Sequence, residues 1–179
     1  MKTLTNTFRI LFLTLAIGFT SCSSDDDNDG GTGGGTGGGA EHFTAKIDGV
    51  NFEASTDPAS LIGGTLQTNN GMTIATGQGS TNNGDFINFS IINYDGPGTY
   101  TTGDALTNNN GIMYGKISPL GTWASNGVLS IIGISPGEIV ITSDSDGVLE
   151  GSFSFEGYNG DDQTSKMITE GSFKVNLDN

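Results

Sequence analysis

One cysteine and one histidine occur in these 179 residues, Cys22 and His42. A Ser-His-Asp or Cys-His catalyst needs its histidine set in a cleft beside the nucleophile. His42 instead falls at the edge of a glycine-rich stretch, on the polar face of the first predicted strand, and zinc would want several His or Cys ligands. Carboxylates are the other candidates for chemistry: Glu53, Glu138, Glu150, Glu156 and Glu170 are the material for two-carboxylate glycoside hydrolysis. Glu150 and Glu156 lie about 20 Å apart along one strand, too far to act as a pair. Glu150 and Glu170 are expected to face each other across neighbouring strands, as solvated charges. Asp144-Ser145-Asp146-Gly147 offers hard oxygen ligands for calcium, with Asp161 and Asp162 as further donors. The full calcium-loop signature fails, because strand residues Val148 and Leu149 follow Gly147; a hairpin turn accounts for Asp146-Gly147 without an ion. No cofactor is expected. Trp123, Tyr114 and Tyr158, with Tyr100, are candidates for a platform on which sugar rings stack; the competing expectation is a core tryptophan and tyrosines with wet hydroxyls.

The elements that would carry these residues begin after a leader. Lys2 and Arg9 flank the start of an apolar run, Ile10 to Phe19, and small residues follow. That order is a secretory signal peptide over residues 1–21. The run has half the roughly 20 apolar residues that a spanning helix requires. Phe19-Thr20-Ser21-Cys22 resembles the lipobox of bacterial lipoproteins, which implies cleavage before Cys22 and acylation of its sulfur. A thioether sulfur neither forms a disulfide nor attacks a carbonyl, and two or three acyl chains anchor firmly at about 0.8 kcal/mol per buried methylene. Ser23-Ser24-Asp25-Asp26-Asp27 resembles the acidic export signal of flavobacterial lipoproteins, which implies the outer membrane, facing outwards.

Residues 30–39 are glycine and threonine alone. Such a stretch buries no apolar area and reads as a disordered coil, so residues 22–40 are expected to form a stalk. A phosphate-binding loop would need a lysine and a strand-to-helix setting that are missing. The remainder, 41–179, has the length of one domain. Eight turn dipeptides punctuate it, among them Asp48-Gly49, Asn70-Gly71 and Asp146-Gly147. Short apolar or alternating runs lie between, which predicts an all-β fold, an antiparallel β-sandwich or flattened barrel. Val148 to Glu156 puts Leu149, Gly151, Phe153 and Phe155 on one face. The last strand is expected to put Met167, Thr169, Gly171, Phe173, Val175 and Leu177 inward. Phe86–Asn93 and Val128–Ile134 are more continuously apolar, the pattern of central strands covered on both faces. Phe43, Ala45 and Ile47 point inward on the first strand, which turns back at Asp48-Gly49 into a hairpin. Glu150-Gly151-Ser152-Phe153 recurs as Glu170-Gly171-Ser172-Phe173, at similar positions on neighbouring strands, with glycine leaving room for a bulky neighbour such as Trp123.

Phe43 to Gly49 with Phe52 and Ala54, Gly98-Thr99-Tyr100, Gly151 to Phe155 and Ile168 to Val175 together resemble a family of Bacteroidetes surface lipoproteins. The resemblance implies a β-sandwich on a lipid anchor and brings no site residues with it. Without Lys2 and Arg9, four lysines face twenty Asp and Glu residues, a formal charge of −16. Nucleic acid needs a basic patch and is excluded as a partner. Anionic lipid heads are disfavoured too, so acylated Cys22 must do the anchoring. The expected function is a non-enzymatic surface module that binds, with a glycan as the first ligand to test. The alternatives are a docking subunit on an outer-membrane protein partner and, behind it, a hydrolase.

Overall fold

A computed structural model describes residues 40–54 and 61–178. Cys22, Ser23, Ser24, Asp25, Asp26 and Asp27, with the leader and the glycine stretch, lie outside the described residues. Eleven strands follow one another: β1 (His42–Ile47), β2 (Val50–Glu53), β3 (Ile62–Asn69), β4 (Met72–Ser80), β5 (Phe86–Ile92), β6 (Gly98–Thr102), β7 (Gly111–Ile117), β8 (Leu120–Ser125), β9 (Gly137–Ser143), β10 (Val148–Asn159) and β11 (Thr164–Asp178). No helix among the described residues is long and apolar enough to cross a membrane.

The pairings define two antiparallel layers. One runs β2-β1-β11-β10-β9-β6 and the other β3-β4-β5-β7-β8. They meet at two corners: a two-residue parallel pairing of Leu177 and Asp178 with Gly64 and Thr65, and a single bridge between Tyr158 and Ala124. The expected sandwich and the flattened barrel are therefore one object, a sandwich closed at its corners.

Three hairpin turns have both central residues at positive φ, as the two-residue turns that match strand twist require. They are Asp48-Gly49, Asn70-Gly71 and Asp146-Gly147. Between the layers, Phe43 packs against Phe153, Phe173 and Phe89, with ring centroids 5.3, 5.9 and 6.4 Å apart. The recurring tetrapeptides do sit on neighbouring strands, and they pair head to tail: Gly151 opposes Phe173 and Phe153 opposes Gly171. Each phenylalanine ring fills the space over the opposing glycine. Trp123 does not serve those glycines; it covers Gly121 on its own strand and lies against Gly157 of β10.

Three expectations need correction. Val128–Ile134 is not a central strand. It contains a 3-10 turn, Ser130–Ile132, ended by left-handed Gly133, and Ile131 is 80% exposed. On β11 the inward residue is Ile168, fully buried, while Met167 is half exposed and Thr169 lies off the core. The cause is a bulge: Phe153 opposes Gly171, but Phe155 opposes Ile168, so β11 spends an extra residue there. Glu170, at φ 52, sits in it and reverses the alternation. The outer face of β5 is not covered by another layer; Asn88 and Ser90 point outward between buried Ile87, Phe89 and Ile91.

Candidate functional site

The outward residues of β3, β4, β5 and β7 fall into two rows across the sheet. In register, one row is Gly63, Gln78, Asn88 and Met113, and the next is Thr65, Thr76, Ser90 and Gly111. These rows floor a half-open cleft of about 510 Å³. Asn109 and Asn126 wall it on the β7 side and Asp178 on the β3 side; Asp178 is the one ionisable group among the described lining residues. Two of its hydroxyls are engaged with each other, Thr65 Oγ1 and Thr76 Oγ1 at 2.9 Å. Among the described residues, no hydrogen bond engages the side chains of Gln78, Asn88 or Ser90. Each amide holds two donors and an acceptor, and the serine hydroxyl adds one donor and two lone pairs.

A second cleft, of about 610 Å³, opens beside the β1–β2 hairpin and holds Asp48, Asp85, Lys116 and Lys166. Glu53 lines it as well, and the other four charges are matched in pairs. Lys166 Nζ donates to Asp48 Oδ2 at 2.8 Å, and Lys116 Nζ stands 3.9 Å from Asp85. The Lys166 ammonium, then the Met167 amide, holds the Asp48 carboxyl below its ordinary value. Tyr114 donates to Asp85 at 3.2 Å, and burial followed by the Asp85 charge pushes its phenol up. Most of this cleft's charges are spent on one another, whereas the amides of Gln78 and Asn88 in the first have no partner among the described residues.

The aromatic candidates do not form a platform. Tyr114 and Trp123 stack with centroids 5.7 Å apart, but they are only 4% and 9% exposed. The indole Nε1 donates to Thr164 Oγ1 at 2.8 Å, and Lys166 Nζ lies 5.0 Å from the ring centroid. Tyr158 is half-buried and in register with Ala124, the neighbour of Trp123, so it stands on the opposite face of the sheet. The two large rings satisfy each other, leaving no open face for a sugar.

The carboxylates are separated as well. Glu150 pairs with Lys174, 3.5 Å away, and Glu170 with Lys46 at 2.7 Å, so the expected facing pair is absent. The antiparallel register sets Glu150 against Lys174, and the bulge removes Glu170 from the ladder. Asp144 accepts from Tyr94 at 2.9 Å, Asp146 occupies a left-handed turn position, and Asp162 accepts from Thr164. Among the described residues no three His, Cys, Asp or Glu side chains group to hold a metal ion. His42 Nε2 lies 3.0 Å from Ser172 Oγ, a cross-strand contact, and neither residue lines either cleft.

The sequence reading passed over Gln78, Asn88 and Ser90. One signal was present: these outward strand positions are neutral amides and hydroxyls, where β10 and β11 carry Glu150, Glu170 and Lys174 outward.

Fold and site define an all-β module of two closed layers with, on one outer face, a cleft whose floor is uncharged and hydrogen-bonding. The profile of a domain of unknown function, DUF6252, matches residues 40–175, and the chain belongs to that family. No curated protein and no solved structure matches it.

Proposed function

We propose that this chain is a Bacteroidetes-type outer-membrane lipoprotein, held by acylated Cys22 and displaying outside the cell a β-sandwich module that binds glycan without converting it. The lipobox-like Phe19-Thr20-Ser21-Cys22 and the acidic Ser23 to Asp27 support the anchor and its address. The observation that carries the ligand is the first cleft, whose amides and hydroxyl have no partner among the described residues. Polar groups in a concavity gain most from a ligand that replaces water with matched hydrogen bonds. A sugar chain is dense in hydroxyls that donate and accept, as the amides do.

Palmitate labelling of the full chain in its host tests the anchor. Label is expected in the wild type and lost in Cys22→Ala; label persisting in the variant refutes it. Affinity gels containing mannan or a β-glucan test the ligand. Slowed migration of the detergent-solubilised full chain supports the reading, and unchanged migration in every neutral polysaccharide rejects it. The docking alternative has one observation of its own: Ile117 and Leu120, at the tip of the β7–β8 hairpin, are 63% and 86% exposed. One stable outer-membrane protein co-purifying with the wild type, and lost in Leu120→Asp, would favour it.

A further inference from the structure

Two glycines that the backbone does not require, Gly63 and Gly111, line the cleft. At Gly111 an added Cβ would meet Asn126 Cβ at 3.7 Å, and at Gly63 it would meet Asp178 Oδ2 at 3.9 Å, both ordinary contacts. Neither residue adopts a left-handed φ. Their neighbours differ. At Gly64, Gly77, Gly79 and Gly115 the added carbon would come within 3.0 Å of a ring, a side chain or a carbonyl, so packing explains those four. Glycine weakens a strand and often marks a place where something approaches the backbone closely. At Gly63 and Gly111 nothing in the described chain makes that approach.

Resting on the glycan reading above, we infer that the cleft takes one extended segment of uncharged polysaccharide, laid across the strands and entering over Gly63 and leaving over Gly111, with the amides of Gln78 and Asn88 reading its hydroxyls. The register supplies the geometry. Gln78 and Asn88 are directly paired on adjacent strands, so their Cβ atoms stand about 5 Å apart. From β3 to β7 the floor spans about 14 Å, the length of a short oligosaccharide segment. Met113 ends the first row and offers a polarizable apolar surface to the C–H face of a sugar. Peptides fit poorly, because Met113 is the one apolar side chain directed outward in the two rows and the backbone groups of β4, β5 and β7 are spent on the sheet. Asp178 stands at the rim of a chain with formal charge −14. Carboxylated and sulfated polysaccharides meet repulsion there with no basic group among the described lining residues to offset it.

The test compares full-length wild type with Gly111→Val, Gly63→Val, Asn88→Ala and Gln78→Ala in gels of mannan, β-glucan and, as the acidic counterpart, polygalacturonate. The alanine variants remove outward polar atoms and keep the fold, so they remain informative if a valine variant unfolds. Expected are retention of the wild type by a neutral polymer, its loss in the valine variants, and about fivefold weaker retention for each amide removed. Wild-type retention that is unchanged in all four variants would overturn the cleft as the site and leave the glycan reading standing. Retention by polygalacturonate equal to that by the neutral polymers would overturn the ligand class. A wild type retained by no polymer would overturn both readings together.

Discussion

A Cβ at Gly77 would stand 2.5 Å from two atoms of the Phe89 ring, and one at Gly115 would enter the ring of Phe86. Gly111, four residues before Gly115 on the same strand, has no such neighbour. Valine at 77 or 115 is therefore expected to destabilise the fold by about 1–3 kcal/mol through overpacking. Alanine at 111 should be neutral or stabilising by up to about 1 kcal/mol, since it restricts the unfolded chain. Denaturant midpoints check this; equal losses at 77, 111 and 115 would contradict it. The phenols give a second residue-scale prediction. Tyr94, Tyr100 and Tyr114 all titrate above their ordinary 10.0, chiefly through burial. A raised folded value means their stabilisation is complete below about pH 10 and is lost as pH rises through those values. Phenolate absorbance from these three should appear only as the protein unfolds in strong alkali, and Tyr114→Phe should lessen the alkaline loss. Titration of every tyrosine near pH 10 with the fold intact would refute the burial account.

Strands were legible where one face alone meets the core. Leu149, Gly151, Phe153 and Phe155 are all buried as their alternation predicts, and the three Asx-Gly turns are hairpins. The phase of Met167 and Ile168 was not legible, because the bulge places a glutamate at positive φ and no local pattern announces it. Val128–Ile134 misled for a related reason: apolar composition reports what a segment contains, not whether a partner strand exists for it. The cleft was hidden most deeply. An outward Gln or Asn in a strand looks the same over bulk water as over a ligand, and concavity arises only when four strands are in register. The corners make an element-scale prediction. The single bridge between β8 and β10 and the two-residue pairing of β11 with β3 should exchange amide hydrogens much faster than the β10–β11 ladder. Uniform protection across corners and ladder would show that the layers are joined more firmly than described.

At the scale of the whole molecule, a chain with twenty acidic residues carries a cleft whose two floor rows contain no charge. That contrast fits the proposed uncharged ligand, since no basic side chain among the described lining residues would hold an anionic one. The sequence offered Trp123, Tyr114 and Tyr158 as candidates for a glycan platform; the two large rings are committed to each other, and the proposal rests instead on Gln78, Asn88 and Ser90. Amide chemical-shift mapping of the labelled full chain in detergent micelles, titrated with an oligosaccharide cut from whichever neutral polymer retains it, separates these surfaces directly. Shifts concentrated at Thr76–Gln78, Asn88–Ser90 and Gly111–Met113 are the predicted result. Shifts centred on Trp123 and Tyr158, with the cleft silent, would contradict it.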